Sequence, residues 1–184
     1  QRVEVWTTML ALQKLGAVII PVTYLLTPKD IIYRCNAANI KMIVSVDMPE
    51  VLSHIQNSIE QCTTVEHVCV VGQTPPGFVD FRKVIEEADE HFIRPIGDQA
   101  THNDDTMLIY FSSGTTGMPK MVRHDFTHPL GHIVTARYWQ HAEKGKRHMV
   151  SADSGWAKFG WGKIYGQWIC GAEIVAYDVV KFNA

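Results

Sequence analysis

Residues 112–120 read Ser-Ser-Gly-Thr-Thr-Gly-Met-Pro-Lys. Four hydroxyls, two glycines and a lysine occupy nine positions. Ser112, Ser113, Thr115 and Thr116 offer hydroxyls that turn toward phosphate oxygens or a metal ion. Gly114 and Gly117 allow positive φ and close approach, so that backbone N–H groups can converge on an anion. Lys120 adds a mobile positive charge, and Pro119 stiffens the exit. A turn, a flexible linker and a polyphosphate cradle are the readings these residues allow. A Walker A loop is excluded by spacing, because Gly117 is followed by Met118-Pro119-Lys120-Met121 and no hydroxyl follows the lysine. The Gly-x-Gly-x-x-Gly dinucleotide fingerprint is also absent.

A second chemical cluster lies at residues 151–168. Ser154-Gly155 precedes Trp156 in an expected loop, so Trp156 is the better candidate for a pocket wall. Gly155, Gly160 and Gly162 would let a ligand pass close to the backbone. Trp161, Tyr165 and Trp168 have helical spacing and are read as core. His124, His128 and His132 recur every four residues, but Pro129 interrupts a continuous helix and no fourth ligand is evident. They are read as solvent-facing or substrate-side histidines and not as a zinc site. No metal ligands are assigned. His124 and Asp125 follow the loop closely enough to be considered at its phosphate end. The paired acids Asp104-Asp105 and Glu86-Glu87 are read as solvated surface.

Positioning these residues falls to alternating elements. Val5, Met9 and Leu12 mark a helix that Gly16 stops. Residues 17–22 read as a buried strand. Thr27-Pro28-Lys29-Asp30 is a helix start, with Ile31, Ile32, Cys35 and Ala38 on one side. Strands are expected at 41–46, 68–71 and 107–111, and helices over 49–59 and 80–92, with a Pro-Pro turn at 75–76. Short apolar strands alternating with helices predict an α/β fold with a mainly parallel sheet flanked by helices. Ligands in such sheets gather beyond the carboxyl ends of strands, where the 112–120 segment lies.

Composition narrows the function classes. The 184 residues suffice for one sizeable core, and a net charge of −2 gives no support for a nucleic-acid surface. No apolar run approaches a membrane span. The four cysteines lack Cys-x-x-Cys pairing, which suits reduced thiols and a cytoplasmic setting. A first residue other than Met, inside a pattern already under way, leads us to expect a piece of a longer protein.

Residues 110–120 resemble the phosphate-binding signature of the AMP-forming adenylating enzymes, a superfamily of acyl-CoA synthetases, peptide-synthetase adenylation domains and beetle luciferases. Ser151-Ala152-Asp153-Ser154-Gly155-Trp156 resembles the Asp-x-Gly-Trp segment of acetyl-CoA and medium-chain acyl-CoA synthetases, which lies by the carboxylate substrate. Residues 2–6 and 15–47 are similar to the N-terminal region of the medium-chain enzymes. The resemblance implies that residues 1–184 are part of the large N-terminal AMP-binding domain, without its later segments and lid. It also implies ATP, Mg2+ and CoA as cofactors and substrates. A short- or medium-chain carboxylic acid would be activated as acyl-AMP and transferred to CoA. Ser112, Ser113, Gly114, Thr115, Thr116, Gly117 and Lys120 would bind the ATP phosphates, while Trp156, Gly155 and Gly160 would line the acyl pocket. The essential lysine of the family lies beyond Ala184, so the chain alone is expected to be inactive. The alternatives are a peptide-synthetase adenylation domain and a non-catalytic nucleotide-binding or interaction module on the same fold. Oligomeric state is left open.

Overall fold

The computed structural model of the protein describes residues 2–113 and 117–177. The chain forms two compact units, Tyr24–Phe92 and the combination of Gln1–Thr23 with Ile93–Ala184.

In the Tyr24–Phe92 unit, helix α2 (Pro28–Ala37) starts on a complete capping box. The Thr27 side chain accepts the Asp30 N–H, and the Asp30 carboxylate accepts the Thr27 N–H at 3.1 Å. This reciprocal arrangement satisfies two donors that a helix start otherwise leaves open. Strands β1 (Met42–Val46), β2 (His67–Val71) and β3 (Val79–Asp80) form a parallel sheet in that order. Helix α3 (Pro49–Gln56) turns Leu52 and Ile55 inward. Ile31, Cys35, Ile55, Cys62 and Val68 make the core. Helix α4 (Phe81–Glu87) is shorter than the expected 80–92. It has an Asp80 cap but buries no residue, and helices hold mainly through a buried face.

In the other unit, helix α1 (Glu4–Leu15) buries Trp6 and Met9 and stops at Gly16, whose φ is 72°. The 17–22 run is not a full strand. Only Ile19 bridges, in parallel, to Leu108, while Val18 and Val22 are exposed and Pro21 lacks a donor. Strand β4 (Thr106–Ser112) pairs antiparallel with β5 (Lys120–Asp125). The short helix α5 (His128–Gly131) and a π-helical turn at Thr135–Trp139 follow. Strands β6 (Arg147–His148) and β7 (Glu173–Ile174) pair in parallel around α6 (Ala157–Lys163) and α7 (Tyr165–Ile169). The expected single helix through Trp161, Tyr165 and Trp168 breaks at Ile164, whose φ and ψ are −118° and −74°. Ile164 is fully buried there. Trp6, Met9, Ile19, Met107, Leu108, Tyr110, Phe159, Ile164 and Tyr165 form the core, with Trp168 packed against it. Full burial of each large apolar side chain contributes about 1.5–3 kcal/mol.

Candidate functional site

The hydroxyl-glycine segment joins β4 to β5. The register puts Ser112 opposite Lys120, and the Ser112 hydroxyl donates to the Lys120 carbonyl at 3.4 Å. Met107, Leu108 and Tyr110 anchor β4 in the core, so the hairpin emerges from a rigid base. Ser112, Ser113, Gly117 and Lys120 are all exposed at its end. Gly117 has a φ of 107°, a conformation that side-chain-bearing residues rarely adopt, so the turn at this point requires glycine. Gly114, Thr115 and Thr116 lie outside the described residues. The described donors fit a polyphosphate: hydroxyls and a lysine face solvent together, and no carboxylate stands among them. Among the described residues no three His, Cys, Asp or Glu side chains are grouped to hold a metal ion.

His124 does not stand at this loop. Four residues along β5 from Lys120 place it about 13 Å away. Its ring packs on Tyr110 and on His128, with centroids 6.2 Å and 4.1 Å apart. The Asp125 carboxylate is engaged by the Thr127 N–H and hydroxyl, at 2.9 Å and 2.6 Å.

Residues 153–156 form a turn stapled to the segment after Ile19. The Gly155 N–H donates to Asp153 Oδ1 at 2.8 Å, and the Ser154 hydroxyl donates to the Val22 carbonyl at 2.8 Å. A Cβ on Gly155 would stand 2.5 Å from the Thr23 nitrogen. A Cβ on Gly160 would meet the Tyr110 hydroxyl and Tyr165 Cε2, both at 3.2 Å. The two glycines therefore also serve close internal packing. Trp156 is the N-cap residue of α6, with 70% of its surface exposed.

Two buried polar groups lie in this unit: Lys163, which sequence reasoning missed, and the hydroxyl of Tyr165, whose ring was read as core. Lys163 is buried, with its ammonium 5.3 Å from the Trp6 ring centroid and 5.7 Å from that of Phe159. Burial holds its pKa below the usual lysine range. The Tyr165 hydroxyl accepts from Gln13 Nε2 at 3.1 Å, and burial raises its pKa.

Comparison with known proteins decides the family. The model of the family described as AMP-binding enzyme matches residues 1–183. The chain belongs to the AMP-binding enzyme family. Among relatives of this AMP-binding chain is the mitochondrial acyl-coenzyme A synthetase ACSM4 of Homo sapiens, 31% identical over 183 residues. The mitochondrial acyl-coenzyme A synthetase ACSM5 of Rattus norvegicus is 32% identical over 185 residues. Each alignment covers 98% of this chain and 30% of the relative, so the chain spans about a third of their length. Solved structures share the fold. The acetoacetyl-CoA synthetase of Streptomyces lividans has a TM-score of 0.81 at 18% identity, over 96% of this chain and 28% of that one. The anthranilate CoA ligase AuaEII, solved with anthranoyl-AMP, has a TM-score of 0.80 at 23% identity, over 94% and 33%. The α/β architecture expected from the sequence is thus that of the adenylate-forming enzymes' N-terminal domain. Among the described residues no helix is long and apolar enough to cross a membrane.

Proposed function

We propose that this chain is part of the N-terminal domain of an ATP-dependent acid–CoA ligase. The observation carrying this reading is the exposure of Ser112, Ser113, positive-φ Gly117 and Lys120 between β4 and β5, in a chain of the AMP-binding family. In the first half-reaction a substrate carboxylate oxygen attacks the α-phosphorus of ATP. The bond to the bridging oxygen breaks and pyrophosphate leaves. In the second, the CoA thiol attacks the acyl carbonyl of acyl-AMP and AMP leaves.

Ser112, Ser113, Gly114, Thr115, Thr116, Gly117 and Lys120 hold the β- and γ-phosphates in this scheme. Their donors neutralise charge on the leaving pyrophosphate, and Lys120 acts as a point charge. Bound together with the nucleotide, Mg2+ would supply further charge neutralisation on the phosphates, with the Ser and Thr hydroxyls of this segment as the oxygen donors that would help hold it. Trp156 walls the acid, with Gly155 and Gly160 keeping the backbone of that wall thin. The substrate is a short- or medium-chain acid. Names of the relatives support the acyl-CoA synthetase class. Residues 1–184 alone are inactive in this reading, since they span 30% of those relatives' length. All four cysteines are free thiols, which suits a reducing compartment, whether the cytosol expected from the sequence or the mitochondrion named for the relatives.

The test is a screen of acids from acetate to decanoate with the full-length protein, ATP and CoA, following pyrophosphate and acyl-CoA. Acid-dependent release peaking at one chain length is the expected result. A flat response to every acid refutes the reading.

A further inference from the structure

His128 and His132 are not used by the adenylation reading, yet their side chains converge. Their Nε2 atoms stand 3.2 Å apart, with ring planes at 77° and centroids 4.5 Å apart. His128 opens α5 and His132 follows its last residue, so a single helical turn carries both. Pro129, which stands against a long helix through all three histidines, occupies the first turn of this short one, where its missing N–H costs nothing. Spacing of four residues then puts the two imidazoles on one face.

Two nitrogens bound to one ion at about 2.0–2.1 Å, near the tetrahedral angle, lie about 3.3 Å apart. The observed 3.2 Å matches that separation. Both residues are only partly buried. We infer that His128 and His132 form a two-nitrogen clamp for a divalent transition-metal ion of the Zn(II), Ni(II) or Cu(II) class, with water completing its coordination. Imidazole suits these ions, whereas Mg2+ and Ca2+ take oxygen ligands.

His124 packs on His128 but is not a third ligand, because no group of three such side chains among the described residues is arranged around one ion. Asp125 is committed to Thr127. The Nδ1 atom of His132 is buried without a protein partner among the described residues. Ligating histidines ordinarily donate that N–H to an outer acceptor, which strengthens binding. The competing use of the 3.2 Å contact is a hydrogen bond that shares one proton between the rings.

The neighbouring aromatics supply a reporter. His132 stacks on Trp161 at 6.1 Å, and Trp161 stacks on Trp139 at 5.8 Å. The full-length protein is titrated with Cu(II) alone and with Zn(II) alone, following heat and tryptophan emission. The expected result is saturable binding, Cu(II) tighter than Zn(II), with quenching by Cu(II). H128Q and H132Q each weaken binding by about tenfold or more, since even outer partners of a ligand are worth about that much. H124Q leaves affinity unchanged, and W161F keeps the affinity but loses part of the quenching. Circular dichroism in chelator establishes that each variant is folded. Wild-type affinity in both H128Q and H132Q, an equal loss in H124Q, or binding that never saturates overturns the clamp.

Discussion

Replacing Gly155 with alanine links packing to chemistry in one experiment. The new Cβ would stand 2.5 Å from the Thr23 nitrogen, 2.9 Å from its Cβ and 3.1 Å from its Cα. Two of these three atoms are backbone, so no rotamer change relieves the contact. The adjoining Val22 carbonyl is fixed by the Ser154 hydroxyl at 2.8 Å, which leaves the segment little room to retreat. Overpacking of this kind costs about 1–3 kcal/mol. Relief by moving the 153–156 turn displaces Trp156. A displacement of about 1 Å at a positioning element costs up to about 10²-fold in rate. The variant is therefore expected to melt lower and to lose about 10–100-fold in kcat/KM for the acid, with KM for ATP little changed. Differential scanning calorimetry and pyrophosphate release at varied acid and ATP concentrations measure both. Gly131→Ala is the control, since its Cβ meets nothing within 4 Å and alanine favours the helix. An unchanged melting temperature in Gly155→Ala refutes the packing argument. A melting loss without any change in acid kinetics refutes the placement of Trp156 at the acid.

Three further outcomes follow. Lys120→Gln is expected to lower the adenylation rate by about 10²-fold or more with the melting temperature unchanged, because Lys120 is exposed; stopped-flow pyrophosphate release checks it. Phe159→Ala removes a fully buried ring on which Trp6 packs at 5.6 Å, and is expected to cost about 3–5 kcal/mol in urea unfolding. Acid should destabilise the histidine cluster. Burial, with repulsion from His124 and His132, lowers the His128 pKa from 6.5 to about 4. The unfolded chain then binds more protons between about pH 4 and 6.5, so this stability is present above 6.5 and is lost as pH falls toward 4. The shift corresponds to about 3 kcal/mol, reduced to about 1–2 kcal/mol by the solvent exposure of the ring. Urea midpoints in chelator should fall across that window in the wild type and fall less in H128Q.

Local chemistry made much of the fold legible. Thr27 to Asp30 announced a helix start, Gly16 a helix stop, and 68–71 a strand, because each depends on neighbours a few residues away. Features set by distant partners were not legible. Ile19 pairs with Leu108 while Val18 and Val22 remain outside, a choice made by tertiary contact and not by the apolar run. The burial of Lys163 against Trp6 likewise depends on α1, far away in sequence. At the candidate site the hairpin-end donors and Trp156 could be named from residue type and order alone. The antiparallel return of β5, which carries His124 away from the loop, depended on strand register.

The claim that this chain serves acid activation is tested most directly by isotope exchange between pyrophosphate and ATP in the full-length protein without CoA. The account predicts exchange that requires a carboxylic acid, saturates with it and collapses in Lys120→Gln. Exchange indifferent to acid, or an active wild type matched by Lys120→Gln, would contradict it.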